Sequence, residues 1–471
     1  MTSEKAPFRN LMEADGQSES AIRAFEAAYD QLVSGRAAMI SENSITPAGN
    51  LPQLDQLKQT NQLTPDGAAK LLDATVVIKL NGGLGTGMGL EKAKSLLPVR
   101  DGQSFLDLIA RQILHLREAH QMPLRFLLMS SFATRDDTAS ALAPHTGLGE
   151  IEALQFLQSR IPKIDAETMA PAMSADDPEL AWCPPGHGDL YPSILGSGHL
   201  QTLLDAGVRY AFVSNSDNLG ATLDLDLLNY FALSEKSFLM EVTRRTSADR
   251  KGGHLAVDKE TGHLLLRESA QCADDDLDAF QDIDRHRYFN TNNLWLRLDL
   301  IKETLDANGG LLPLPVIKNV KNLNPRDKAS PKVVQLEVAM GAAIGTLDAT
   351  GAVEVNRTRF APVKTTEDLF VLRSDAYVLT EDYRLELHPD RQGVPPNVVL
   401  DGAHYKLVDQ LEACVGDGVP SLLGCESLEI EGMVRFAPGV ILRGKVVIKN
   451  PSDDRMTIPA GTYKDQTISE A

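Results

Sequence analysis

The sequence of 471 residues predicts an α/β protein with a β-rich part at its end, and three observations support this fold class. Short apolar runs rich in β-branched residues, such as TVVIKL (75–80), resemble strands that are buried on both faces. A helical pattern separates this run from the next one, which is the order of a βαβ unit with parallel strands. After about residue 380 the helical patterns fade, and short apolar stretches alternate with Gly and Pro turns.

The first predicted element is an amphipathic helix. Its apolar residues recur at spacings of three and four, at Ile22, Phe25, Tyr29 and Leu32. Such a stripe predicts a helix that packs on the body of the protein. The stretch ITPAGNLPQL (45–54) then interrupts the pattern. We therefore predict an N-terminal helical portion over residues 1–70.

The central part begins with the strand TVVIKL. A helix follows, with Ser104 as its N-cap and Asp107 three residues later in a variant of the capping box. The run LRFLLM (124–129) is the next strand and completes the βαβ unit. Further strands are predicted at YAFV (210–213), FLMEVT (238–243), NLWLRL (293–298) and VVQLEV (333–338). Together these elements predict an α/β domain over residues 71–375.

The last part, residues 376–471, contains the tract LEIEGMVRFAPGVILRGKVVIKN (428–450). Small apolar residues recur between its Gly and Pro turns, with inward positions expected at Ile430, Val434, Val440 and Val446. This spacing is typical of coils of a β-solenoid, although the repeat is short and imperfect. An irregular β-sandwich cap is the alternative.

Composition restricts the class of partner. The chain has 46 Lys and Arg against 65 Asp and Glu, a formal net charge of −19. Nucleic acids and anionic membranes attract positive fields, so neither is expected as the main partner. No apolar run reaches the ~18 residues of a membrane span, and MTSEKAPFRN lacks the apolar core of a signal peptide. The four cysteines include no C-x-x-C pair, and we expect a reducing cytoplasm as the location.

The most informative segment is the glycine loop LNGGLGTGMG (80–89), directly after a predicted buried strand. In open α/β sheets ligands bind at the carboxyl ends of strands, and glycines let backbone N–H groups approach a nucleotide. The loop contains neither G-x-G-x-x-G nor G-x-x-x-x-G-K-[ST], which argues against a dinucleotide site and a P-loop. We predict a nucleotide site of another type.

With EKAKS (91–95) after it, this loop resembles the signature of the UTP–glucose-1-phosphate uridylyltransferase family, the UDP-glucose pyrophosphorylases of the eukaryotic type. Further segments agree with that family in the same order: FLQSRIPKI (156–164), PPGHGDLYPSI (184–194), VSNSDNLGAT (213–222), ADRKGGHL (248–255), YFNTNNLWL (288–296), KVVQLEVAMGAAI (332–344) and RFAPVKTTEDLFVLRSDAY (359–377). The resemblance implies a nucleotide-diphospho-sugar transferase core, which is Rossmann-like with a mixed sheet, and a C-terminal left-handed β-helix. It also implies the transfer of a uridylyl group from UTP to glucose 1-phosphate.

The resemblance assigns roles to particular residues. It implies two catalytic lysines, Lys94 and Lys364, and Asp217 as ligand of a Mg²⁺ cofactor. The implied nucleotide-binding residues are Leu80, Asn81, Gly82, Gly83, Lys94, Gln158, Gly186 and Asp217. The implied sugar-phosphate-binding residues are His187, Asn215, Asn292, Glu337 and Lys364. Asp189 is a weaker carboxylate candidate, Lys251 and Lys332 are possible further phosphate contacts, and Met129 is expected in the core with one face on the nucleotide.

The chemistry agrees with this set of residues. A sugar phosphate has a second pKa near 6, so its oxygen is already an anionic nucleophile at neutral pH and requires no general base. The reaction needs in-line positioning and cations that offset charge on the phosphates.

Alternatives remain open at this point. One is a pyrophosphorylase for UDP-N-acetylhexosamine or for a broad range of UDP-sugars. A second is a glycosyltransferase, although NSDN supplies one Asp where that class has Asp-x-Asp. A third is a non-catalytic nucleotide-binding protein. The sequence gives only a weak preference for a monomer, because the last twenty residues contain no obvious apolar docking strand.

Overall fold

The structure is a computed structural model, and it describes residues 2–35, 39–60, 63–246, 249–415 and 418–469. Ala248, the first residue of the motif ADRKGGHL (248–255), lies outside these ranges. The α-helices are Thr2–Ala14, Glu19–Val33, Leu54–Thr60, Pro65–Asp73, Phe105–His120, Arg135–Leu142, Leu190–Gly196, His199–Asp205, Leu225–Leu233, Leu277–Gln281, Leu298–Ala307, Thr366–Arg373, Gly402–Tyr405 and Val408–Val415.

A ten-stranded mixed sheet forms the centre of the molecule. We number its strands in chain order as β1 (Ile45–Pro47), β2 (Thr75–Asn81), β3 (Arg125–Ser130), β4 (Gln155–Leu157), β5 (Tyr210–Asn215), β6 (Phe238–Arg244), β7 (His254–Asp258), β8 (Leu264–Arg267), β9 (Tyr288–Arg297) and β10 (Thr350–Glu354). The main path runs β1-β7-β9-β5-β2-β3-β4, while β6 pairs with β9 and β10, and β8 with β7.

The predicted βαβ unit is confirmed. Strands β2 and β3 are parallel, and the helix Phe105–His120 connects them. Ser104 and Asp107 form the expected capping box at its start. Strands β5 and β4 extend this parallel part on either side, whereas β9 runs antiparallel to both β5 and β6. All seven residues of β2 are buried, as its β-branched apolar run predicts for a strand covered on both faces.

The N-terminal helix is also confirmed, as Glu19–Val33 with Ile22, Phe25 and Tyr29 buried. The stretch that interrupts the helical pattern has a role that the sequence did not reveal. Its residues 45–47 form β1, which pairs antiparallel with β7 at one edge of the central sheet. A three-residue strand is too short for the alternation that identifies strands in a sequence.

The predicted strand VVQLEV lies in a different sheet from the other predicted strands. It is the strand Lys332–Val338, which pairs with Val316–Asn322 and with the short strand Ile164–Asp165. We call the pair of long strands the hairpin. The strand Lys332–Val338 resembles a core strand in composition, and the sequence alone does not reveal which sheet it joins.

The C-terminal part consists largely of parallel strands. Asn397–Leu400, Ser421–Glu431, Val440–Lys449 and Gly461–Ser469 pair in that order, and Val434–Phe436 pairs with Met456–Ile458 in a second small sheet. The four positions expected to point inward are all buried. Parallel pairing of successive segments agrees with stacked coils and differs from the antiparallel strands of a sandwich.

The remaining strands are short and lie in connections: Pro98–Arg100, Gln103–Ser104, Ile161–Pro162, Trp182–Cys183, Tyr377–Leu379 and Leu385–Leu387. Among the described residues, no helix is long and apolar enough to cross a membrane. The four cysteines are all free thiols, and three of them are buried.

Candidate active site

A cleft of about 320 Å³ opens at the carboxyl ends of β2, β3 and β5. This is the edge of a parallel sheet at which ligands bind in α/β proteins. The cleft brings together nine of the predicted site residues: Leu80, Asn81, Gly82, Gly83, Lys94, Gln158, His187, Asn215 and Asp217. Met129 also lines it while remaining buried, as expected. Three lining residues, Gly85, Ser95 and Ser216, were not among the predictions.

The glycine loop adopts a conformation that its glycines permit. At Gly82 a Cβ atom would lie 2.5 Å from Oε1 of Gln158, so a larger residue would displace that side chain. Gly85 has a φ of +68°, in the left-handed region that favours glycine. The loop then folds back on itself, because the N–H of Lys94 donates to the carbonyl of Gly83 at 3.0 Å. Lys94 is thereby positioned beside the start of the loop.

The Lys94 ammonium and the Asp217 carboxylate form an ion pair in the cleft. Nζ of Lys94 donates to Oδ2 of Asp217 at 2.6 Å and also to the carbonyl oxygen of Val363. Both side chains are less than one-fifth exposed, which reduces screening by water. The two predicted groups therefore meet directly, and Val363 is a third member of this contact that sequence reasoning did not find.

Oδ1 of Asp217 is buried and accepts no hydrogen bond within the described residues. A carboxylate oxygen without a partner at the edge of a polar cleft suits a divalent cation, since Mg²⁺ takes oxygen ligands and commonly uses one or two carboxylates plus substrate phosphates. The described residues contain no group of three or more His, Cys, Asp or Glu that could hold a metal alone. A metal here would need ligands from a bound phosphate.

Gln158 and Gly186 are held together on the opposite side of the cleft. The Gln158 amide donates to the Gly186 carbonyl at 2.9 Å. Asp189 stabilises this region from below, accepting hydrogen bonds from the Ser159 N–H at 2.6 Å and from the Ser193 hydroxyl. Burial raises the pKa of Asp189 to about 6. Asp189 thus contacts the residues behind the cleft and is not one of its lining residues.

His187 is held as a neutral hydrogen-bond donor. Its Nδ1 accepts a hydrogen bond from the backbone N–H of Met340 at 3.0 Å. Burial lowers the pKa of His187 to about 4, so the ring is neutral at pH 7. A neutral ring whose Nδ1 is an acceptor carries its proton on Nε2. His187 therefore offers an N–H group and no charge.

Lys364 does not line this cleft. It is exposed and lines an adjoining cavity of about 430 Å³ together with Lys251. Burial raises the pKa of Glu268, and the nearby charge of Lys364 opposes that rise. Val363 contacts Lys94 directly, so Lys364, the next residue in the chain, lies at the boundary between the two cavities.

The other predicted residues lie around the cleft without lining it. Glu337 is on the hairpin next to Gly186, whose added Cβ would lie 3.2 Å from that of Glu337. Asn292 is in β9 with a φ of +58°, and its side chain accepts a hydrogen bond from Asn290. Lys332 is exposed at the start of its hairpin strand and donates to the side chain of Asn322.

One buried lysine supports the cleft from beneath and was not predicted. Lys79 in β2 is 2% exposed, and its ammonium donates to the Ser214 hydroxyl at 2.7 Å and to the Ala221 carbonyl at 2.6 Å. It therefore holds both ends of the segment that contains Asp217. Burial lowers the pKa of Lys79 to about 7. The signal was present in the sequence, because Lys79 is the one charged residue of the run TVVIKL.

Comparisons with known proteins identify the family that the chain resembles. A family model described as UTP–glucose-1-phosphate uridylyltransferase matches residues 22–443. The UTP–glucose-1-phosphate uridylyltransferase of Solanum tuberosum is 40% identical over 399 residues, which are 84% of this chain and 81% of the relative. The enzyme of that name from Hordeum vulgare is 38% identical over 450 residues, 94% of this chain and 92% of the relative.

Solved structures agree over the whole chain. A UDP-glucose pyrophosphorylase from Leishmania major is 45% identical with a TM-score of 0.94, and the match covers 100% of both chains. A variant of that enzyme in complex with UDP-glucose gives the same identity, TM-score and coverage. A Trypanosoma brucei protein described as UDP-glucose phosphorylase is 45% identical, with a TM-score of 0.92 and full coverage of both chains.

Proposed function

The chain belongs to the UTP–glucose-1-phosphate uridylyltransferase family, and on that premise we propose that it joins UTP and glucose 1-phosphate to give UDP-glucose and pyrophosphate. One observation supports the proposal most strongly. The Lys94–Asp217 ion pair lies in a polar cleft beside a glycine loop, at the edge of the sheet where a nucleotide binds. The cation and the carboxylate that phosphate chemistry requires are therefore in contact.

The reaction proceeds by in-line displacement at the α-phosphorus of UTP. A phosphate oxygen of glucose 1-phosphate forms the new bond to the α-phosphorus, and the bond from that phosphorus to the bridging oxygen of the β-phosphate breaks. Pyrophosphate leaves with the electron pair. Because the nucleophile is already an anion at neutral pH, no side chain has to remove a proton. Positioning and charge stabilisation are the contributions of the protein.

Lys94 supplies positive charge to the UTP phosphates. In the absence of substrate its ammonium is neutralised by Asp217 and held by the Val363 carbonyl. Phosphate oxygens would accept hydrogen bonds from the same ammonium in a site with little screening, where such bonds are strong. Lys364 approaches the reacting phosphates from the adjoining cavity, which the contact of its neighbour Val363 with Lys94 supports.

Mg²⁺ is the proposed cofactor, and Asp217 would hold it through Oδ1 together with substrate phosphates. The ion would offset negative charge on the phosphates and on departing pyrophosphate. Turnover should stop when EDTA removes divalent cations and should return when excess Mg²⁺ is added. An enzyme that is insensitive to EDTA would contradict this assignment.

Base and sugar recognition use the polar groups around the cleft. Gln158 and the loop residues from Leu80 to Gly83 offer amide and backbone groups to the uracil and ribose, and Gly186 borders the same pocket. His187 and Asn215 in the cleft, with Asn292 and Glu337 beside it, are proposed to contact the sugar phosphate. The proposed role of His187 is that of a neutral donor from Nε2.

One assay separates this function from its alternatives. The purified chain is incubated with UTP, Mg²⁺ and one of several hexose 1-phosphates, and pyrophosphate release is measured. Release with glucose 1-phosphate is expected. Release with N-acetylglucosamine 1-phosphate in its place would identify the pyrophosphorylase alternative. No release with any sugar phosphate would support a non-catalytic nucleotide-binding protein.

We also propose a domain division, a fold for the C-terminal domain, a cellular location and an oligomeric state. It divides into an N-terminal helical portion (1–70), a catalytic domain (71–375) and a C-terminal domain (376–471). The parallel strands of the C-terminal domain form a left-handed β-helix, a handedness that a crystal structure would decide. The free thiols support a cytoplasmic location. Light scattering should give the mass of a monomer near 51.2 kDa.

A further inference from the structure

Glu241 is a charged residue in the interior of the central sheet. It lies in β6, is 0% exposed and accepts four hydrogen bonds. Arg359 donates two of them, each at 2.7 Å, from Nε and Nη2. The Trp295 indole N–H donates at 3.0 Å and the Asn293 amide at 3.1 Å. Each of the two carboxylate oxygens accepts two hydrogen bonds, so the carboxylate is held in one orientation.

Arg359 connects the fixed carboxylate of Glu241 to the chain segment that begins at Arg359. Its Nη2 donates to the Thr222 carbonyl at 2.9 Å. Its own carbonyl accepts hydrogen bonds from the side-chain amides of Asn218 at 3.1 Å and Asn293 at 3.3 Å. The Asn218 side chain in turn accepts a hydrogen bond from the Ala361 N–H at 3.0 Å. The segment 359–361 is thus attached to the segment that contains Asp217.

The same attachment continues into the cleft. The Val363 N–H donates to the Asp217 carbonyl at 3.2 Å, and the Val363 carbonyl accepts from the Lys94 ammonium. Gly220 permits the close approach of the two segments, because a Cβ at that position would overlap the carbonyl oxygen of Thr358. An unbroken series of contacts therefore runs from Glu241 to Lys94.

We propose that Glu241 is a positioning residue for uridylyl transfer, which acts through Arg359 and the segment 359–363 to hold the Lys94 ammonium at the reacting phosphates. This inference rests on the proposed function. Glu241 itself is not one of the residues that line the cleft. A buried ion pair contributes little net stability when compared with apolar packing, so fixing the geometry of the site is the advantage that this pair offers.

The chain offers a matched control in Glu42, a second carboxylate that is paired with a buried arginine. Glu42 accepts a hydrogen bond from Arg267 at 2.7 Å, and it does not line the cleft. Glu241→Gln and Glu42→Gln each remove one buried charge and keep the side-chain shape. Both variants are compared with the wild type in kcat, in KM for UTP and in thermal midpoint.

Glu241→Gln is expected to lower kcat by about tenfold to 100-fold with KM for UTP within about threefold, because a displacement of about 1 Å can cost that much. Glu42→Gln should keep kcat within about twofold although its thermal midpoint falls. In a Lys94→Ala background, Glu241→Gln should cause no further loss of kcat beyond about twofold. Equal effects of the two variants on kcat, or a full additional loss in the Lys94→Ala background, would overturn the proposal.

A second measurement does not require turnover. Reductive methylation of lysines is followed by mass spectrometry of peptides, with the exposed Lys328 as internal standard. Lys94 is held by two acceptors, so its methylation should be slow in the wild type and in Glu42→Gln, and at least fivefold faster in Glu241→Gln. Unchanged methylation of Lys94 in Glu241→Gln would overturn the positioning role, even if the wild type proved inactive. If the wild type is inactive but Lys94 is methylated faster in Glu241→Gln, only the proposed function is refuted. If Glu241→Gln does not fold, Arg359→Lys, which retains the charge but loses the two-point contact, is tested by the same criteria.

Discussion

Two buried clusters of charge lie in the central sheet, and they differ in how completely their polar atoms are paired. In the first, Glu241 accepts four hydrogen bonds and Arg359 donates to Glu241 and Thr222. Within the described residues, no fully buried side-chain nitrogen or oxygen of this Glu241–Arg359 pair lacks a hydrogen-bond partner. The pair lies beneath the cleft and is joined to it by hydrogen bonds.

The second cluster connects the stretch before β1 with β8 and β9. Glu42 contacts Arg267, Arg285 and His286 at 2.7 to 3.0 Å. The rings of His254 and His286 are stacked, with centroids 3.9 Å apart. Several buried polar atoms here have no hydrogen-bond partner among the described residues: Arg245 Nε, His254 Nε2, Arg267 Nε, His286 Nδ1 and Tyr288 OH.

The difference separates two uses of buried charge. Complete pairing fixes one geometry, which suits a support for reacting groups. Incomplete pairing leaves buried polar atoms without hydrogen bonds, which costs free energy of folding. It occurs in the second cluster, which attaches the N-terminal segment to the sheet. Both clusters should therefore contribute to stability, whereas only the first should affect turnover and the second should make stability depend on pH.

The largest expected effect is a loss of unfolding free energy when the central carboxylate of either cluster is removed. Glu42→Gln and Glu241→Gln each take a carboxylate away from a buried arginine, although Arg267 keeps an ion pair with Asp276 at 2.9 Å, and breaking a buried pair typically costs about 3–5 kcal/mol of unfolding free energy. Urea denaturation should show losses of similar size in the two variants. A loss below about 1 kcal/mol in either would mean that its pair contributes no more than an exposed ion pair does.

Lys94→Ala tests the group that the first cluster is proposed to hold. Loss of its charge should remove about 2 kcal/mol or more of transition-state stabilisation, a fall of about 30-fold in kcat or more. Lys364→Ala should lose a similar amount. Steady-state assays of pyrophosphate release measure both, and turnover near that of the wild type in either variant would remove that lysine from the mechanism.

The second cluster predicts a dependence of stability on pH. Burial, with the neighbouring His286, lowers the pKa of His254 to about 2, and burial lowers the pKa of His286 as well. The unfolded chain binds protons below about pH 6.5 that the folded chain does not, so stability is complete above that pH and falls below it. Between pH 7.5 and pH 6 the loss from His254 should be about 0.8 kcal/mol, and His286 should add to it in the same direction.

His254→Asn provides the control for this effect. Urea denaturation at several pH values should give a smaller slope in this variant than in the wild type, because one of the two buried histidines is absent. An unchanged slope would show that other groups cause the loss of stability in acid.

The smallest expected effect concerns an exposed pair. Lys302 and Asp306 contact one another at 2.6 Å one turn apart on the helix Leu298–Ala307, and the aspartate is 60% exposed. Lys302→Ala should change the unfolding free energy by about 0.5 kcal/mol or less and leave kcat unchanged. A loss of several kcal/mol would contradict the view that burial determines the importance of these pairs.

The sequence was sufficient for the parts of the fold that depend on local patterns. The buried run of β2, the capping box at Ser104 and the parallel pairing of β2 with β3 follow from residue types and spacing. The place of the hairpin in a separate sheet and the strand β1 were not predictable, because both depend on contacts between distant parts of the chain.

The site residues were also predictable where they lie in local motifs and not where they depend on contacts between distant parts of the chain. The glycine loop and the motifs around it identified nine residues that line the cleft. The Val363 carbonyl was not predictable, since any residue provides a carbonyl and only the fold brings this one to Lys94. Glu241 and Arg359 lie 118 positions apart, and neither stands in a pattern that indicates its partner.

The central claim is that this chain transfers the uridylyl group by attack at the α-phosphorus of UTP. The most direct measurement supplies the purified protein with Mg²⁺, glucose 1-phosphate and UTP labelled with ³²P at either the α or the γ position. We predict that the α label appears in UDP-glucose and the γ label in pyrophosphate. A γ label in the sugar product, or an α label that never leaves UTP, would contradict the account.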